Sequence, residues 1–316
     1  MKYSFLLVLI LMGQLVYSKE SKSFIQRIQF ISVEKASQLL SEDDAYTSNW
    51  SQFDLDSRVQ KKGSTKAEQL KLMQLELREW TASDKDKLNE QFKHIDSIII
   101  SNGYRFSMPD TINFILSTLK DEGGAEGYTR GNNIVLKNNI AQLTDQNLQA
   151  IIIHELFHVL TRYDKQFRKD MYEIIGFKLC NEIAYPENLK NYKISNPDAP
   201  FKDSYITLMK DNESVDCMMI LYSKKDYTKG SFFNYITIGL LKLKGNQHKE
   251  IDYKNGKEQV YSLEEVSGFF EQVGRNTGYI IDPEEALADN FVFAITNAKG
   301  LDSQWIVDKI QQRLIK

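Results

Sequence analysis

Residues 151–160 read Ile-Ile-Ile-His-Glu-Leu-Phe-His-Val-Leu. Thr144 precedes them as a helix cap, with Asp145 in the first turn, so the spacing predicts one helix from Asp145 to about Tyr163. His154 and His158 are four apart and leave the same face one turn apart. Two imidazoles so placed suit a tetrahedral zinc ion, with Zn–N distances of about 2.0–2.1 Å. Glu155 lies beside the first histidine, where it can take a proton from a water whose pKa zinc lowers to about 7. The other reading is a core helix whose histidines are merely satisfied. It leaves the Glu155 carboxylate without a partner among Ile151–Ile153, Leu156, Val159 and Leu160. The chain has only four histidines, and two of them fall at this spacing. That favours the metal.

A third ligand is expected from residues 282–291, Asp-Pro-Glu-Glu-Ala-Leu-Ala-Asp-Asn-Phe. Glu285 and Asp289 are four apart on a predicted helix from Pro283 to about Ala298. Glu285 can reach the metal while Asp289 accepts the outer N–H of a ligand histidine. Asp282 and Glu285 also have the spacing of a capping box with Pro283 at the first helical position, which would spend Glu285 on the backbone. Asp289, an acid inside an apolar stretch, argues for the ligand. The rival is Asp164, six residues beyond His158. Thr161 stands where a chain reversal would need glycine, and a continuing helix turns Asp164 to another face.

Outward from these segments, Gln69–Trp80 has helical spacing, and Thr81 or Ser83 caps a helix reaching Ile100 and ended by Gly103. Thr111–Leu119 and Gly127–Leu136 read as strands, separated by Glu122-Gly123-Gly124. After the histidine helix the pattern is largely helical, broken at Tyr185-Pro186 and Ser195–Pro200. Tyr205–Leu208 and Cys217–Tyr222 are short strand candidates, and Ser303–Leu314 is a closing helix.

The 316 residues carry 40 basic and 43 acidic side chains, net −3, with the basic residues scattered. That leaves no electrostatic footprint for nucleic acid. Lys2, the apolar run Phe5–Met12 and a cleavage site after Ser18 predict a signal peptide, so the mature chain is expected to be exported, periplasmic or secreted. The apolar run is short against the roughly 20 residues of a spanning helix, and no stable membrane insertion is expected. Cys180 and Cys217 can pair as one disulfide or stay free thiols. The sequons at Asn49 and Asn212 matter only in a glycosylating host.

With His154-Glu155-x-x-His158 followed by Glu285 and Asp289, the chain resembles the zincin metallopeptidases, in their gluzincin, thermolysin-like branch. The resemblance implies an α+β, two-lobed fold: an upper lobe with a small mixed sheet and the active-site helix, and a mostly helical lower lobe that supplies the glutamate. Residues 1–18 are then the signal peptide, 19–80 a helical lead-in able to cover the cleft, and 81–316 the domain, with lobes of about 81–165 and 166–316. It implies one Zn²⁺ per chain, Glu155 as general base, and hydrolysis of a peptide or protein substrate. It also implies that substrate pairs with an edge strand within Tyr128–Leu136; an interior strand is the alternative there. The interval from His158 to Glu285 departs from the pattern by being much longer than in thermolysin itself. An oxyanion donor is expected among Tyr205, Tyr222, Tyr279 and His248, while His94 reads as an ordinary helix residue. The competing function is an exported binding or scaffold protein that has lost catalysis. Retention of Glu155 argues against it. A zinc hydrolase with a non-peptide substrate would use the same chemistry.

Overall fold

The computed structural model describes residues 22–315, so the signal peptide expected at 1–18 lies outside the described residues. Its first sheet contains β1 (Ile28–Phe30), β2 (Leu77–Arg78), β3 (Ile112–Ser117), β4 (Gly127–Arg130) and β5 (Asn133–Lys137). The order is β1-β3-β5-β4, with β2 also paired to β3. β3 runs parallel to β1 and β5, while β4 turns back antiparallel on β5 and forms an edge. The expected strand Gly127–Leu136 is thus a hairpin: β4 is an edge and β5 is interior.

Both faces of this sheet are covered, which explains the apolar runs in β3 and β5. Phe114, Leu116, Ile134 and Leu136 point to one side, into a core shared with α4 (Ala82–Ser101) and α5 (Asp145–Tyr163). Ile115, Val135 and Tyr128 point to the other. There they meet Ala36 and Leu40 of α1 (Val33–Ser41) and Met73 of α3 (Lys66–Glu76). Full burial of each large side chain is worth about 1.5–3 kcal/mol over exposure. Residues 28–78 therefore contribute two strands and a helical layer on the sheet face away from α5. Between α1 and α3, α2 (Gln52–Val59) starts with a capping box from Ser51 and Asp54.

Beyond α5, α6 (Lys165–Ile174) leads into a second, antiparallel sheet. It contains β6 (Phe177–Leu179), β7 (Ser204–Lys210), β8 (Glu213–Tyr222) and β9 (Thr237–Lys244), extended by short strands at 250–251 and 260–261. This corrects the expected mostly helical lower lobe: the region is mixed α+β. Asp211 and Asn212, at φ 51° and 67°, form the two-residue turn between β7 and β8. Both cysteines are free thiols, Cys217 buried in β8 and Cys180 just beyond β6. The chain closes with α7 (Phe269–Val273), α8 (Pro283–Ile295) and α9 (Gln304–Ile315). Among the described residues no helix is long and apolar enough to cross a membrane.

α5 and α8 pack against each other within the main core. From Glu155 to Thr161 every α5 residue is buried, and α8 is buried from Pro283 to Ala288. Acidic and imidazole groups on these faces therefore meet away from water. That contact makes the site.

Candidate metal centre

Thr144 caps α5, its side chain accepting from Asn147 N, and so fixes where the helical repeat begins. The repeat brings His154 and His158 to one face, 4.9 Å apart between ring centroids. On α8, Asp282 is the N-cap and accepts from Glu284 N. Glu285 does not close a capping box; its Oε2 lies 3.0 Å from His154 Nε2 and 3.6 Å from His158 Nε2. Ligand atoms of His154, His158 and Glu285 all lie within 4.8 Å of one another, a grouping that can hold a metal ion. Asp164 stands elsewhere: it ends α5 and caps α6, accepting from Gln166 N and Phe167 N.

Each imidazole is fixed from behind by a second carboxylate. His154 Nδ1 lies 3.0 Å from Asp289 Oδ1, and His158 Nδ1 lies 3.2 Å from Glu284 Oε1. Thr277 donates to Asp289, and Asn196 donates to Glu285. Glu284 is fully buried and accepts from Tyr172 Oη at 2.6 Å and from Thr161 Oγ1, with Arg162 3.5 Å away. Such partners set the ring orientation and leave each Nε2 turned toward Glu285.

Glu155 faces the sheet edge. Thr129 Oγ1 donates to its Oε2 at 2.7 Å and to its main-chain oxygen at 3.2 Å. The approach requires a glycine in β4, because a Cβ on Gly127 would stand 2.7 Å from Glu155 Oε1. Burial raises the Glu155 carboxyl above its ordinary range, against the pull of His158 and His154. Asp198, from the loop after Ser195, reaches the same place, with a carboxylate oxygen within 4.8 Å of ligand atoms of Glu155 and His158.

The site is organised for positive charge. Burial alone would depress both histidines, yet hydrogen bonds from the ring to the Asp289 and Glu285 carboxylates raise His154 to about 10. His158 is also raised, by the charges of Asp198 and Glu285 and by Glu284. Burial would lift Glu285 and Glu284 too, but His158 and His154 hold Glu285 low, and Arg162 with His158 brings Glu284 to about 2. His158 Nε2 is fully buried without a hydrogen-bond partner, although it faces a carboxylate. Two imidazole nitrogens and a carboxylate oxygen, backed by further acids, fit a divalent transition-metal ion held by His154, His158 and Glu285.

A cleft of about 420 Å³ opens on these residues, walled by Ala125, Ile151, Phe233, Val292 and Phe293. Tyr279 lines it too, its ring 6.2 Å from that of His154. Tyr205 and Tyr222 belong to the second sheet, while His248 and His94 are exposed. A hollow of about 470 Å³ near α2 contains neither histidine nor Glu155.

Sequence reasoning brought His154, Glu155, His158, Glu285 and Asp289 forward, and the fold brings all five together. It missed Glu284, Thr129, Gly127 and Asp198. Glu284 carried a signal, being a second acid in an apolar helix; Asp198 carried none.

A family model described as the eCIS core domain matches residues 117–166, from the end of β3 through α5 to the start of α6. No curated protein and no solved structure matches the chain.

Proposed function

We propose that this chain is an exported zinc-dependent peptidase with one metal per chain, held by His154, His158 and Glu285. The observation that carries the reading is the position of Glu155: next to a ligand histidine, buried, fixed by Thr129 and facing the cleft. Bound zinc would supply Lewis acidity, activating a water and polarising a carbonyl.

The chain's own residues do the rest. Glu155, its proton affinity raised by burial, takes the proton of the attacking water and returns it to the leaving amine. Tyr279 is the oxyanion donor that the cleft favours over Tyr205, Tyr222 and His248. The wall of Ile151, Phe233, Val292 and Phe293 suits a large apolar side chain. The edge of β4 carries the Thr129 N–H, which Asp198 accepts in this structure and which an extended peptide backbone would take in its place.

The test is zinc content and peptide hydrolysis for wild type and three variants. Glu155→Gln should keep one zinc and lose hydrolysis by about 10²–10⁴-fold. Glu285→Ala should lose zinc, and Asp164→Ala should keep it. Unchanged hydrolysis in Glu155→Gln, or no zinc in the wild type after reconstitution, would overturn the proposal.

A further inference from the structure

The connection 223–236, between β8 and β9, reaches out of the second sheet to the cleft beside the metal centre. It belongs to the long interval between His158 and Glu285. Its path is fixed by its own aromatic side chains. Tyr235 Oη accepts from Thr228 N and Lys229 N, each at 3.2 Å, and donates to the Lys229 carbonyl at 3.0 Å. Tyr227 and Tyr235 pack on Phe53 of α2, with ring centroids 6.2 and 5.4 Å away. Phe232 is buried, with the Arg58 guanidinium of the same helix 4.6 Å from its ring centre. The lead-in segment thus supports this arm.

Phe233 is presented to the cleft. Its ring stacks on Phe232 at 4.4 Å and lines the cleft, and the residue is 41% exposed. Gly123, at φ 66°, lets both rings lie against the turn before β4. A Cβ there would stand 2.8 Å from Phe232 and 3.1 Å from Phe233. The same cleft receives Ile151 from α5 and Val292 and Phe293 from α8. A fixed, half-exposed aromatic ring in apolar surroundings gains by covering its free face with another apolar group.

We propose that Phe233 is a specificity-determining residue, presented by the arm 223–236 to hold a large apolar or aromatic side chain of the substrate beside the cleaved bond. The proposal rests on the peptidase reading given above and adds the source of its selectivity. One wall of the cleft is delivered by the second sheet, and the other by the two helices that carry the metal ligands. A phenylalanine side chain of a bound peptide covers the ring, whereas alanine leaves it in water. The proton steps of Glu155 do not pass through the ring, so Phe233 acts on preference.

The test gives the zinc-loaded full chain two peptides, one with a single phenylalanine and the same peptide with alanine in its place, and identifies the products by mass. Wild type should cleave a bond formed by the phenylalanine and prefer that peptide by at least about tenfold in kcat/KM. Phe233→Ala should lower the preference by about tenfold and keep its zinc, while Phe233→Leu should retain most of it. Asn234→Ala, at the exposed neighbour, should leave the preference unchanged and so separates the ring from a disturbance of the arm. An unchanged preference in Phe233→Ala, or an equal loss in Asn234→Ala, would overturn the proposal and leave the peptidase reading intact. A wild type that cleaves neither peptide would overturn both.

Discussion

Glu284 orients His158: its Oε1 lies 3.2 Å from Nδ1, so the opposite nitrogen faces Glu285. The carboxylate is itself fixed by Tyr172, Thr161 and Arg162, all drawn from α5 and α6. Glu284→Gln keeps the shape and removes the charge that makes His158 a good donor. Zinc affinity should fall about 10–100-fold while the fold persists. Competition with a chelator measures this, and an unchanged affinity would remove the orienting role.

Gly127 of β4 lies directly against the Glu155 side chain. A methyl group there would meet Glu155 Oε1 at 2.7 Å, and the buried carboxylate must turn away. Gly127→Ala should lower hydrolysis by about 10²-fold, the usual effect of misplacing a reacting group by an ångström. Zinc content should stay at the wild-type value, since neither histidine is touched. Parallel loss of zinc and activity would show that the substitution acts on the fold instead.

Asp121 supplies a pH dependence separate from the metal. Burial, reinforced by neighbouring Glu122, raises its carboxyl from 3.8 to about 7. Between those values the folded chain holds a proton that the unfolded chain has released, so this group's contribution falls as pH rises. It is complete below about pH 4 and lost through about pH 7. Asp121→Asn should remove that slope, worth at most about 4 kcal/mol. Chemical denaturation of both proteins at pH 4.5 and 7.5 provides the comparison, and parallel pH profiles would refute it.

Chelation should destabilise the fold. Glu155, Asp198, Glu284, Glu285 and Asp289 converge around two imidazoles, and a bound divalent ion would offset their repulsion. A ligand that binds only the folded chain adds about 2.7 kcal/mol at one hundred times its dissociation constant. Melting with and without a chelator should differ accordingly. Glu285→Ala should melt alike in both conditions.

Much of this arrangement was legible in the sequence because it is written in helices. Thr144, the repeat of α5 and the paired histidines announce one another, and Glu285 with Asp289 repeats the logic on α8. Glu284 was obscured because an acid in a first helical turn has an ordinary explanation in capping and the helix dipole. The second sheet was only partly legible. Tyr205–Leu208 and Cys217–Tyr222 read as strands and lie within β7 and β8, but β9 did not announce itself, because Gly239, Leu240 and Leu241 are buried in succession and the alternation that distinguishes a strand is broken. A further signal lay in Asp211-Asn212, two residues that tolerate the left-handed turn joining β7 to β8. Asp198 belongs to a loop with no period at all, and only tertiary contact brings it to the site.

His154 and Glu285 are 131 positions apart, and the contact between α5 and α8 is what joins them. During synthesis the histidines leave the ribosome long before their acidic partners exist. A growing chain therefore passes through most of its length with the metal site incomplete, whatever else has folded. A product truncated before Pro283 would lack Glu284, Glu285 and Asp289 together. Translation itself thus sets the moment at which the site can first form.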